Sequence, residues 1–157
     1  MPTIKIKTKI NAPIETCFDL ARDIALHCST ASRTQERAVA GVTSGKISLG
    51  ETVTFEARHF GVLQRLTAIV TEFDKPNYFV DEMTQGAFKS MRHRHEFKAI
   101  STGVLGEQTL MTDTLTWVSP FGVIGVLFDK VLLENHMRNF LIQRNGKLKD
   151  VVEKNMS

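Results

Sequence analysis

Apolar and polar positions alternate from Thr3 to Ile10, where Ile4, Ile6 and Ile10 share one face and Lys5, Lys7 and Lys9 the other. That alternation predicts a half-buried strand, and its lysines suit a sheet edge, where charge discourages further pairing. The same pattern returns near Thr34 to Val39, Glu51 to His59, Val62 to Phe73, Asn77 to Thr84, Phe88 to Ile100 and Glu107 to Val118. Between these runs lie Gly41-Val42-Thr43-Ser44-Gly45, Asp74-Lys75-Pro76-Asn77, Gln85-Gly86 and Ser101-Thr102-Gly103, whose composition makes tight turns. The pattern thus predicts seven antiparallel strands.

Helical spacing appears in two places. After the first strand, Asn11-Ala12-Pro13 supplies a capping side chain and a proline suited to a first turn, and Ile14, Cys17, Phe18 and Ala21 share a helical face. Asp23 caps a second short helix that ends at His27-Cys28-Ser29-Thr30. The long helical pattern runs from Ser119 to Lys154. Leu133, Met137, Phe140, Leu141, Leu148 and Val151 form its apolar stripe, with Glu134, Asn135, Arg138, Asn139 and Asn145 off it. Its first turns are greasy on every side, since Ile124, Leu127, Phe128 and Val131 lie opposite Val126 and Leu133. The second apolar face needs cover from the short helices around Phe18 and Leu26, from a ligand, or from a second copy of the chain as a homodimer. Gly122 and Gly125, beside Pro120, give this segment the freedom of a lid.

Strand parity selects the side chains that face inward. Val53, Phe55 and Ala57 carry His59 with them; Met91 and Phe97 carry His93 and His95; Phe79 and Met83 carry Asp81; and Met111, Leu115 and Trp117 carry Asp113. Ionisable groups on apolar faces either satisfy one another and lock the register, or form a polar patch that orients a ligand or moves a proton. Burial and pairing perturb pKa values without implying catalysis, which favours the structural role.

Composition narrows the classes. A chain of 157 residues fits one domain, 1–157, that buries roughly two thirds of its unfolded surface. No apolar run reaches the roughly 20 residues of a membrane span, and the basic alternating N-terminus lacks a signal-peptide core, so a cytoplasmic protein without integral membrane association is expected. A net charge of +3 with scattered lysines and arginines, Arg144 among them, reads as a solvated surface and not as a nucleic-acid groove. Cys17 and Cys28 lack metal-ligand spacing and read as free small hydrophobes. There is no Gly-rich phosphate loop and no Gly-x-Ser-x-Gly elbow, and His-x-His at 93–95 has no third ligand fixed by spacing, so neither a cofactor nor a metal is expected.

Ile10-Asn11-Ala12-Pro13-Ile14-Glu15 with Phe18, Asp23 and His27 resembles the opening of the SRPBCC superfamily, which includes polyketide cyclases and aromatases, the birch pollen allergen group and lipid-transfer domains. Ala57-Arg58-His59-Phe60-Gly61, Leu66-Thr67, Phe79-Val80-Asp81-Glu82-Met83, His93 to Phe97 and Met111-Thr112-Asp113 are similar to a bacterial, cyclase/dehydrase-like branch of it. The resemblance implies an α+β START-like helix-grip fold: a curved seven-stranded antiparallel sheet around the long C-terminal helix, with two short helices after the first strand.

The cavity of such a fold suits a hydrophobic or amphipathic small molecule, such as a lipid, isoprenoid or polyketide-like aromatic, held without catalysis. Parity assigns its walls to Phe55, Leu66, Met83, Met91, Phe97, Met111, Leu115 and Trp117. His59, His93, His95 and Asp113 supply polar contacts, and Ile124, Leu127 and Phe128 come from the helix. The alternative is a cyclase or dehydratase in which His93 or His95 is the general base and Asp81 or Asp113 its orienting partner. A third reading is a protein-interaction module using the apolar first turns of the helix.

Overall fold

The N-terminal alternation is realised as β1 (Thr3–Ile10), one edge of a seven-stranded antiparallel sheet ordered β1-β7-β6-β5-β4-β3-β2. The structure, a computed structural model, describes residues 1–101 and 106–156. The other strands are β2 (Arg37–Gly41), β3 (Thr52–His59), β4 (Val62–Asp74), β5 (Tyr78–Gln85), β6 (Ser90–Ser101) and β7 (Gln108–Val118). Their bounds depart most from the sequence pattern at β2. There Ser32–Thr34 winds into a 3-10 turn and Gln35 takes a left-handed conformation, which delays the strand to Arg37. Of the expected turn Ser101-Thr102-Gly103, the part beyond Ser101 lies outside the described residues.

The β3–β4 hairpin turns on Phe60 and Gly61, both at positive φ (53° and 74°), as a two-residue hairpin with right-handed strand twist requires. Glycine adopts this freely, whereas phenylalanine does so at a cost of about 1–2 kcal/mol. Packing accompanies the strain: the Phe60 ring tilts against His136, centroids 4.4 Å apart, and meets Phe128 edge-on.

α1 (Ile14–Ala21) and α2 (Ile24–Thr30) follow β1. Asp23 caps α2 as expected, its carboxylate accepting the Leu26 N–H at 3.0 Å. Asn11 does not cap α1, whose N-cap is Pro13. Instead the Asn11 N–H donates to Glu153 and its side-chain oxygen accepts from Gln108, tying the start of α1 to the end of the C-terminal helix. Phe18 of α1 is fully buried and anchors a cluster with Ile10, Phe79, Phe97, Met111 and Leu148.

The C-terminal helix is continuous but not uniform: α3 (Gly122–Phe128), a π turn at Asp129–Leu133, then α4 (Glu134–Lys154). Such a bulge accommodates one extra residue per turn without breaking the helix. Here it holds buried Asp129 against the end of β7, where its Oδ1 accepts from Trp117 Nε1 at 3.0 Å and from Ser119 Oγ. Leu133 and Leu141 then close a second cluster over Ile4, Leu115 and Trp117. α1 and α2 pack on α4 and leave α3 uncovered, with Ile124 77 % and Leu127 64 % exposed. Among the described residues no helix is long and apolar enough to cross a membrane.

Candidate functional site

Between the inner face of the sheet and the C-terminal helix lies a cavity of about 510 Å³. Phe55, Leu66, Met91 and Leu115 line it from the strands, and Met137, Phe140 and Leu141 from α4. Phe60, Phe88, Phe121, Ile124 and Phe128 rim it on the side of α3. Several expected wall residues are elsewhere. Phe97 and Met111 face the same way as their neighbours but fill the cluster around Phe18, and Trp117 is consumed by the cluster with Ile4. Met83 lies beneath Gly86, and Leu127 faces outward from α3. Parity picks the face of the sheet; how closely the helices approach it decides which residues retain free space.

One end of the cavity is polar, and the strand register builds it. β5 pairs with β6 so that Asp81 stands opposite His93, and β6 pairs with β7 so that His95 stands opposite Asp113. His95 bridges the two carboxylates, Nε2 to Asp81 Oδ1 at 2.9 Å and Nδ1 to Asp113 Oδ1 at 2.9 Å. His93 Nε2 reaches the same Asp113 oxygen at 2.8 Å, while Asn145 Nδ2 donates to Oδ2 at 2.7 Å. Phe79 stacks on the His95 ring at 4.3 Å. Of this group Asp81 and His93 line the cavity, with His95 and Asp113 behind them. His59 does not join it: its Nδ1 meets His136 Nε2 at 2.8 Å beside Phe60 and Phe140.

Sequence reasoning missed four further groups. His27, stacked on Phe55 at 4.6 Å, is hydrogen-bonded to Glu36, and both line the cavity. Asn145 is 1 % exposed and Arg144 3 %. Residue type alone places both in solvent, although Arg144 follows Leu141 by three positions and precedes Leu148 by four, which is the spacing of the apolar stripe. Arg144 lines the cavity, yet its Nε has no hydrogen-bond partner, and no hydrogen bond or ion pair ties its guanidinium to any described residue.

Burial disfavours every charge here, and pairing decides which survive. Desolvation opposes the His95 imidazolium, but the hydrogen bonds to Asp113 and Asp81 outweigh it and raise its pKa. Asp113 is held well below the usual carboxylate value, burial being overcome by His93 and His95, and Asp81 is lowered through His95. His93 is lowered by burial and by the charge of His95; His27 by burial and by Arg144; His59 by burial and by His136. Glu36 stays ionised against its burial through His27 and Arg144.

These directions fix a pH dependence. Below about pH 6.5 the unfolded chain protonates its histidines, whereas folded His27, His59, His93 and His136 resist, so stability falls with pH through that window. His95 has the opposite sign, contributing fully below about pH 6.5 and losing its contribution as pH rises through its raised pKa. The lowered carboxylates add a loss only as pH falls below about 4. Urea unfolding should therefore show stability declining between about pH 7 and 5, before carboxylates titrate, and His93→Gln should flatten that slope. A flat profile there would mean that these four histidines are no harder to protonate in the folded protein than in the unfolded chain.

Asp81, His93 and His95 also offer ligand atoms within 4.8 Å of one another. Both His95 nitrogens already face carboxylates, so an ion would have to displace a satisfied network, and the arrangement fits shared protons better than a cation.

No family model matches the sequence, and neither does any curated protein. Solved structures do. The Thermus thermophilus protein TTHA0849 superposes with TM-score 0.79 at 21 % identity, covering 99 % of this chain and 100 % of that one. The Zhui aromatase/cyclase of a Streptomyces species gives 0.79 at 10 % identity, covering 99 % and 96 %. A START superfamily protein of Mycobacterium smegmatis gives 0.70 at 14 %, covering 95 % and 98 %. The fold is a START-like helix grip.

Proposed function

We propose that a protein with the START-like helix grip, an open apolar cavity and one polar end holds a hydrophobic or amphipathic small molecule without transforming it. The observation that carries this reading is the cavity itself: about 510 Å³, walled by Phe, Leu and Met side chains, in the range of small-ligand sites. Solved neighbours include a START superfamily protein and a major latex-like protein from ginseng, which supports ligand holding at the level of the fold. Exposed Phe121, Ile124 and Phe128 at the rim offer an apolar path for such a ligand.

The acid-base alternative draws on His93, a neutral imidazole at the cavity wall whose Nε2 is oriented by Asp113. Against it, Asp81 and Asp113 are both engaged by His95, as in a structural network, with Asn145 Oδ1 the only buried side-chain atom of the group left without a partner among the described residues. The Streptomyces aromatase/cyclase shares the fold at 10 % identity, too little to transfer its chemistry.

Titration with a fluorescent apolar probe such as anilinonaphthalene sulfonate, followed also through Trp117, is expected to saturate with the protein folded. Ala57→Phe, which fills the cavity from β3, should weaken that binding about tenfold or more. Absence of saturable binding to the folded chain ends the container reading.

A further inference from the structure

Arg144 poses a problem that the apolar cavity does not answer. A guanidinium carries five N–H donors and stays charged in proteins, and burying one without partners is costly. This one is 3 % exposed, its Nε is orphaned, and its hydrogen-bonding capacity is unspent among the described residues. It is carried by α4, whose neighbouring positions Leu141 and Asn145 are buried, so the side chain is held in the cavity wall by the seating of the helix itself. Glu36 is near enough to feel its charge but accepts from His27 and not from Arg144. A planar, unspent fork of donors at the polar end of an apolar cavity is a receptor for a planar pair of acceptor oxygens.

We propose that Arg144 receives the carboxylate head of an amphipathic acid whose apolar body lies along Phe55, Leu66, Met91, Leu115 and Phe140, an assignment that rests on the container reading. Charge balance sets how the acid enters. The polar end holds Glu36 before β2, Asp81 on β5 and Asp113 on β7 as carboxylates, against His95 on β6 and Arg144 on α4 as cations. A fourth carboxylate is compensated when its proton stays in the site. The acid's O–H bond breaks, the proton passes to the neutral ring of His27 on α2 or His93 on β6, and the anion is left facing the guanidinium.

Calorimetric titration of the full chain with dodecanoic acid and with methyl dodecanoate tests this directly. The folded protein should bind the acid about tenfold or more tightly than the ester, the usual worth of a charge-assisted pair of hydrogen bonds. Arg144→Met, which keeps the length and apolar bulk of the side chain, should abolish the preference by weakening the acid and leaving the ester unchanged. Arg144→Lys, which keeps the charge without the fork, should fall between, and decides the matter equally well should the methionine variant fail to fold. Equal binding of acid and ester by the native chain overturns the assignment and leaves the container standing, as does a preference that survives both substitutions. If neither ligand binds the native chain, container and assignment fall together.

Discussion

Asp113→Ala is expected to cost about 3–5 kcal/mol of folding stability, the range for removing one member of a buried charged pair. Asp113 is 1 % exposed and accepts from His93, His95 and Asn145, so its loss orphans three donors at once. It also leaves the His95 imidazolium with Asp81 alone. Because Asn145 belongs to α4 and the histidines to β6, the deletion should loosen the seating of the helix on the sheet as well as the network. Urea unfolding of the native chain and the variant measures the loss. A cost below about 1 kcal/mol would show that the carboxylate is not needed by the fold, and that the cluster is maintained for a ligand.

Phe18→Ala should be comparably severe, about 3–5 kcal/mol, the range for truncating a buried aromatic. The ring is fully buried and meets Phe73, Phe79 and Phe97 edge-on at centroid distances of 5.3, 5.5 and 5.5 Å. It is where α1 closes on the sheet, and Phe79 in turn backs His95, so the vacancy would reach the polar network from behind. Phe18→Leu, nearer in volume, should cost less than about 1.5 kcal/mol. Thermal unfolding with both variants checks the pair. Equal, small losses would mean that the neighbouring phenylalanines collapse into the space.

Both effects involve features that differ in how far they are written locally. Alternation from Thr3 to Ile10 and along β3 to β7 is a property of neighbouring residues, so the strands, their inward faces and the meeting of His93, His95, Asp81 and Asp113 on one face were legible from the chain alone. The Asp23 cap was legible for the same reason: its partner is three residues away. Depth is not local. Phe97, Met111 and Trp117 have the same parity as Met91 and Leu115, yet they are core because α1 and the C-terminal helix press on that part of the sheet. His59 has the right parity as well, but the hairpin end that carries it lies beside His136 and not beside the aspartates. Arg144 sits at stripe spacing on α4 and Asn145 reads as off the stripe, yet both are buried, because a polar side chain reads as solvent-facing only until the helix has a seat. The sequence by itself determined the strands, the turns and the chemistry available on the inner face, because these depend on period and residue type. Only the tertiary structure decided where space remained beneath the helix and which buried charges were left without a partner, because both depend on how distant segments are brought to contact.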